Sequence, residues 1–224
     1  MSILTLFVVI PVLMLLGLWL SRNLNQVRGV MVVGSTCLLA LSIWLTLAFI
    51  QARQAGDTSE MLFTYSTPWF RPLNIAYSVG VDGISVVMLL LSAVIVFTGT
   101  FASWQLKPLT KEYFLWFTLL STGVFGFFIC TDLFTMFMFY EVALIPMYLL
   151  IGVWGSGNKE YAAMKLTLML MGGSALLIIG ILGIYFFSGA TTMNVNEIAA
   201  MHNIAPQVQN VFFPLIFIGF GVLG

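Results

Sequence analysis

Residues 131–154 read TDLFTMFMFYEVALIPMYLLIGVW, apolar almost throughout, with Asp132 at its start and one carboxyl group, Glu141, near the middle. At a rise of 1.5 Å per residue, about 20 such residues cross the roughly 30 Å hydrocarbon core of a bilayer. The stretch is therefore a membrane helix. Carrying a carboxyl group to the bilayer centre costs about 2.5–3.5 kcal/mol on insertion scales. A chain that keeps an acid there uses it, either to pair with a cation or to bind and release an ion.

The rest of the composition agrees. Of 224 residues, 61% are hydrophobic and 7% charged, the balance of an integral membrane protein. Eight basic and eight acidic residues cancel, which leaves no basic patch for nucleic acid. Cys37 and Cys130 lie in or at the ends of apolar segments without metal-ligand spacing and read as small buried hydrophobes. Ile3 to Leu20 is apolar with no basic residue before it and no small-residue cleavage pattern after it, so it reads as a first membrane helix and not a signal peptide.

The fold class expected is an all-α polytopic membrane protein with about seven transmembrane helices, at roughly 3–20, 29–50, 84–104, 113–130, 133–154, 161–187 and 208–224. Arg22 and Arg28 lie in the first link, Lys107 and Lys111 in the third, and Lys159 in the fifth, with Lys165 just inside the next helix. By the excess of positive charge in cytoplasmic loops, these links are inside and the N-terminus outside. A bacterial inner membrane is the expected location. The 51–83 link is too long for a simple turn, and its Leu73–Val81 stretch alternates larger with small or polar residues as on a half-buried strand, predicting an outer-face β-hairpin or strand lid. Asp82 and Asp132 each precede a helix and read as N-caps. Gly172, Gly173, Ser174, Ala175, Gly180 and Gly183 suit close helix contact along helix six. The 188–207 link holds a short amphipathic stretch from Asn194 to His202, the only histidine, which reads as a surface or packing residue.

Two charged residues are candidates for chemistry. Glu141 stands about eight residues into helix five, roughly 12 Å below its outer end. Pro146 follows and has no N–H to donate to the carbonyl of Val142, so the backbone is loosened in the turn after the acid. A freed carbonyl in a membrane needs water or a side chain, and an acid beside it suits an internal water pocket. Lys165 is the one basic residue inside an apolar segment, about 6 Å from the inner face. Roughly 12 Å of a 30 Å core then separates it from Glu141, so it is a candidate proton relay through water and not a direct partner. No phosphate loop, haem pattern, cysteine cluster or nucleophile elbow is present, and no redox centre is expected in this chain.

Tyr140–Gly155, reading YEVALIPMYLLIGVWG, resembles the fifth helix of the antiporter-like subunit M (mitochondrial subunit 4) of respiratory complex I, the proton-pumping NADH:quinone oxidoreductase. Asp82–Ser85 at the start of helix three and Tyr161–Lys165 at the start of helix six agree in order and spacing. The resemblance covers this whole chain but only the N-terminal half of a family member. It implies inverted repeats of five helices, with helices one to three and the hairpin in residues 1–112 and an incomplete first repeat in 113–224. It implies that Glu141 translocates protons, and that NAD, FMN, iron–sulfur clusters and quinone are bound by other subunits, with none in this chain. The implied partners are neighbouring membrane-arm subunits and the lipid bilayer. The family's helix-seven lysine is matched in register by Leu223, just before the chain stops inside an apolar helix, as in a truncated subunit. The alternatives are a subunit of a multisubunit Na⁺/H⁺ antiporter or membrane-bound hydrogenase and, in another class, a structural membrane scaffold.

Overall fold

The computed structural model describes residues 2–107, 109–187, 189, 192–201 and 204–223. Among these residues, eight α-helices and one hairpin follow in order: α1 Leu6–Leu20, α2 Leu24–Gln54, β1 Leu62–Phe70, β2 Ile75–Val81, α3 Gly83–Ala102, α4 Thr110–Ile129, α5 Leu133–Trp154, α6 Lys159–Phe187, α7 Val195–Ala199 and α8 Pro206–Leu223. Among the described residues, α1 together with the 3-10 turn Ile3–Thr5 before it, and each of α2 to α6, are long and apolar enough to cross a membrane. The seventh expected segment is α8, an apolar helix of 18 residues. The all-α membrane class holds.

Helix α2 is longer than its apolar run. It begins at Leu24 because Gln26 Oε1 accepts from the N–H of Arg22 (3.0 Å) and of Asn23 (3.4 Å), satisfying donors that a helix start leaves open. Its 31 residues span about 46 Å, so its ends project past a 30 Å hydrocarbon layer.

The chain forms two compact units, one made of Met1–Tyr65 and Val79–Ile129, the other of Ser66–Ser78 and Cys130–Gly224. In the first, α1 packs on α2 and α4, and α2 on α3, around Phe7, Met31, Leu38, Leu89, Phe114 and Phe125. The Phe7 and Phe125 rings lie 5.6 Å apart. Charged residues close one end of this unit. Lys111 Nζ donates to the carbonyls of Trp19 (3.0 Å) and Ser21 (2.7 Å), placing an ammonium on the C-terminus of α1 where the helix dipole favours it. Arg28 Nη2 donates to the Trp104 carbonyl at 2.8 Å, and its guanidinium lies 4.9 Å from the centre of that indole. The first and third links therefore meet.

In the second unit, α5 and α6 form an antiparallel pair joined by residues 155–158, and α6 packs closely on α8. The small residues of α6 divide in role. A side chain at Gly180 would run into Ile216 and one at Gly183 into the ring of Phe212, whereas Gly172 faces open space. Gly180 and Gly183 thus set the helix approach there.

The expected hairpin is present, as a two-stranded sheet of β1 and β2. A 3-10 turn at Arg71–Leu73 and a left-handed Asn74 (φ 49°), a conformation that asparagine tolerates, reverse the chain. One detail of the sequence reading is corrected. β2 is not half-buried by alternation, because Ser78, Val79, Gly80 and Val81 are all buried. Ser78 is small because the space is closed: its hydroxyl shares a 2.7 Å hydrogen bond with that of Ser66, and its carbonyl accepts from Thr131 N–H at 2.9 Å. The exposed strand is β1, where Pro68 removes no needed donor. The short amphipathic helix is α7, with Ile198 buried and Glu197 exposed. His202 lies outside the described residues.

Candidate functional site

The candidate site is built on α5. Its start is fixed by Asp132, whose Oδ1 accepts from Thr135 N–H at 2.9 Å, as an N-cap does. Asp82 caps α3 in the same way, through Ser85 N–H at 2.7 Å. The far end of α5 closes at Gly155, whose N–H donates to Ile151 at 3.0 Å and where a side chain would meet that same carbonyl oxygen. Lys159 Nζ donates to the Val153 carbonyl at 2.6 Å and adds a positive charge there. The helix between these ends is continuous.

Glu141 lies in this helix, partly buried, with its Oε1 shut from the surface and, among the described residues, without a hydrogen-bond partner. Such an oxygen is costly to leave unmet, which makes it a place for a proton or a water molecule. Pro146 is buried five residues on, and covalent structure alone denies the Val142 carbonyl its helical donor. The site thus offers an acid and, on the next residue, an open acceptor.

The register between α5 and α6 gives the position of the lysine. A β-carbon at Gly152 would stand 3.6 Å from the β-carbon of buried Ala163, so these residues are level. Counting from that contact, Glu141 stands about 16.5 Å along α5 and Lys165 about 3 Å along α6 in the same direction. Their axial separation is about 13.5 Å. Lys165 is exposed, with its Nζ 5.9 Å from the centre of the Tyr161 ring one turn earlier. The structure does not bring the two together, and among the described residues they form no ion pair. The same count places Ser174 level with Glu141. It is buried, and its hydroxyl donates to its own helix at Met171 (3.1 Å). Reading helix six for small residues classed Ser174 as packing. Only the pairing register exposes it as the polar group at the depth of the acid.

Residues 130–224 match the family model described as NADH:quinone oxidoreductase/Mrp antiporter, transmembrane region. Over 175 residues the chain is 31% identical to NADH-quinone oxidoreductase subunit M of Rickettsia bellii, covering 77% of this chain and 35% of that protein. It superposes with a TM-score of 0.80 on a chain of respiratory complex I from Thermus thermophilus, at 22% identity, covering 98% of this chain and 42% of that one. It superposes equally, at 0.80 and 22%, on a chain of an archaeal membrane-bound sulfane sulfur reductase, covering 99% of this chain and 44% of that one. The chain spans about a third of the length of the curated relatives it matches, 31% of a Thermosynechococcus chain 4 among them. These likenesses bear out the resemblance read from helix five. The fold is that of antiporter-like membrane subunits.

Proposed function

We propose that this chain is part of an antiporter-like subunit of the M or chain 4 type, in an NADH-quinone oxidoreductase, and that it moves protons across the membrane while other subunits carry out the redox chemistry. The single observation that supports this reading most is Glu141: a carboxyl group inside a membrane helix whose Oε1 is buried and has no hydrogen-bond partner among the described residues, next to the carbonyl of Val142 that Pro146 leaves free. A carboxyl group held there exchanges a proton with water brought close to it. Water held by the Val142 carbonyl supplies the path away from it. Lys165, at the other depth, relays protons from the cytoplasmic side through water over the roughly 13.5 Å gap. NAD, FMN, iron–sulfur clusters and quinone belong to other subunits, and membrane-arm neighbours flank this one. The N-terminus faces outward from a bacterial inner membrane. The curated relatives named subunit M favour this reading over a Na⁺/H⁺ antiporter subunit.

The test is Glu141→Gln in the assembled complex in closed membrane vesicles. Glutamine keeps the size and hydrogen bonding but cannot titrate. A positioned proton-transfer group is worth on the order of 10²-fold or more, so pumping falls to background, whereas Glu141→Asp retains part of it. Undiminished pumping by the Gln variant at normal assembly overturns the reading in favour of a structural scaffold.

A further inference from the structure

A helix cap needs one oxygen, and serine or asparagine supplies it as well as aspartate does. Asp132 is nevertheless a carboxylate at 1% exposure, a costly choice unless the second oxygen is also used. It is used: Oδ2 accepts from the N–H of Ala76, on β2, at 3.3 Å. Thr135, one turn into α5, returns a bond from its hydroxyl to the Ala76 carbonyl at 3.1 Å. Both backbone groups of one strand residue are thereby held by side chains of the first turn of α5.

The attachment continues on either flank. Thr131 N–H donates to Ser78 on β2, Leu133 N–H donates to Met193, and Val195 N–H donates to Thr131, each at 2.9 Å. Residues 131–133 thus form a strip between the hairpin and the chain that leads into α7. Ile75, Leu177, Ile181 and Met193, all at most 2% exposed, cover the joint with Leu133, Phe134 and Phe137 packed against them. Water is kept from competing for these bonds.

We propose that Asp132 is a positioning residue for Glu141: by sharing its carboxylate between α5 and the hairpin, it fixes the height and rotation at which α5 presents the acid nine residues further on. Glu141 lies about 13.5 Å along the same helix, and a slip of one residue at the joint carries it about 1.5 Å and turns it by about 100°. This inference rests on the reading of Glu141 as the proton carrier.

The test uses the intact complex with Asp132→Ser and Asp132→Asn. Both side chains still cap Thr135, but serine is too short to reach Ala76, and asparagine turns its NH₂ group toward the Ala76 donor. In both, the Ala76 amide is expected to exchange about tenfold faster, the scale of one lost hydrogen bond. Pumping falls several-fold at unchanged assembly, and the infrared carbonyl band of protonated Glu141 shifts. Faster exchange with an unmoved band and full pumping overturns the proposal, as does unchanged exchange. If neither variant assembles, Thr135→Val, which removes only the hydroxyl link, is expected to give the same changes in smaller measure, and an unmoved Glu141 band in it refutes the idea. Glu141→Gln run alongside separates the two readings. If that variant pumps undiminished, the proton-carrier reading falls, while the band shift still judges whether Asp132 positions Glu141.

Discussion

Pro146→Ala separates the stability of α5 from its use. A proline inside a helix costs about 3 kcal/mol through the lost hydrogen bond and the ring's clash with the preceding turn. Alanine restores an N–H that donates to Val142. Against that gain, Pro146 is buried, and removing two ring carbons leaves a cavity of roughly 40 Å³, worth about 1 kcal/mol at 24 cal/mol per Å³. The net stabilisation is about 2 kcal/mol, which raises the melting temperature of the purified subunit by about 4–8 °C. The proposed path loses the Val142 carbonyl that holds water next to Glu141. With a hydrogen bond worth about 1 kcal/mol, the pumping rate drops about fivefold. Circular dichroism melting in detergent and proton uptake by vesicles containing the assembled complex give the two numbers. A stabilised variant that pumps at the full rate refutes the role of the loosened turn. A variant that is not stabilised refutes the helix argument itself.

Other expectations follow from the same geometry. Gly183→Leu drives a side chain into the Phe212 ring and destabilises the α6–α8 pair by about 1–3 kcal/mol in thermal melts, while Gly172→Leu, facing open space, stays within about 0.5 kcal/mol. For Lys165, both Lys165→Gln and Lys165→Arg slow pumping if the ammonium releases protons, because a guanidinium keeps its charge but does not deprotonate; full activity in the Arg variant reduces Lys165 to a fixed charge. In the turn after α4, the Cys130 thiol is pushed up to about 12 by burial and by the charge of Asp132. About one thiol in 10⁴ is ionised at pH 8, so Cys130 reacts with iodoacetamide only after unfolding, and rapid labelling of the folded protein contradicts its burial.

Much of the fold was readable because its signals are local. Apolar runs of membrane length, the N-caps at Asp82 and Asp132, and the strand-like alternation before Val81 all depend on neighbours within a few residues. The alternation misled in one respect: small residues at Ser78 and Gly80 marked a closed space and not a water-facing side. What escaped the sequence was long-range. The reach of Asp132 to Ala76 joins residues 56 apart in the chain, and no pattern near either residue announces it. Ser174 gains its place beside the depth of Glu141 only from the contact of Gly152 with Ala163. For Glu141 itself, the signals were its cost in an apolar stretch, the proline that follows it and the likeness of Tyr140–Gly155 to a family helix, and the buried Oε1 is the structural counterpart of the first.

The most direct measurement is the infrared difference spectrum of the complex during turnover, taken for the native chain and for Glu141→Gln. The account predicts a carboxylic-acid carbonyl band that rises and falls with each cycle in the native complex and is missing from the variant. A spectrum in which that band is absent from both, or survives the substitution unchanged, contradicts proton carriage by Glu141.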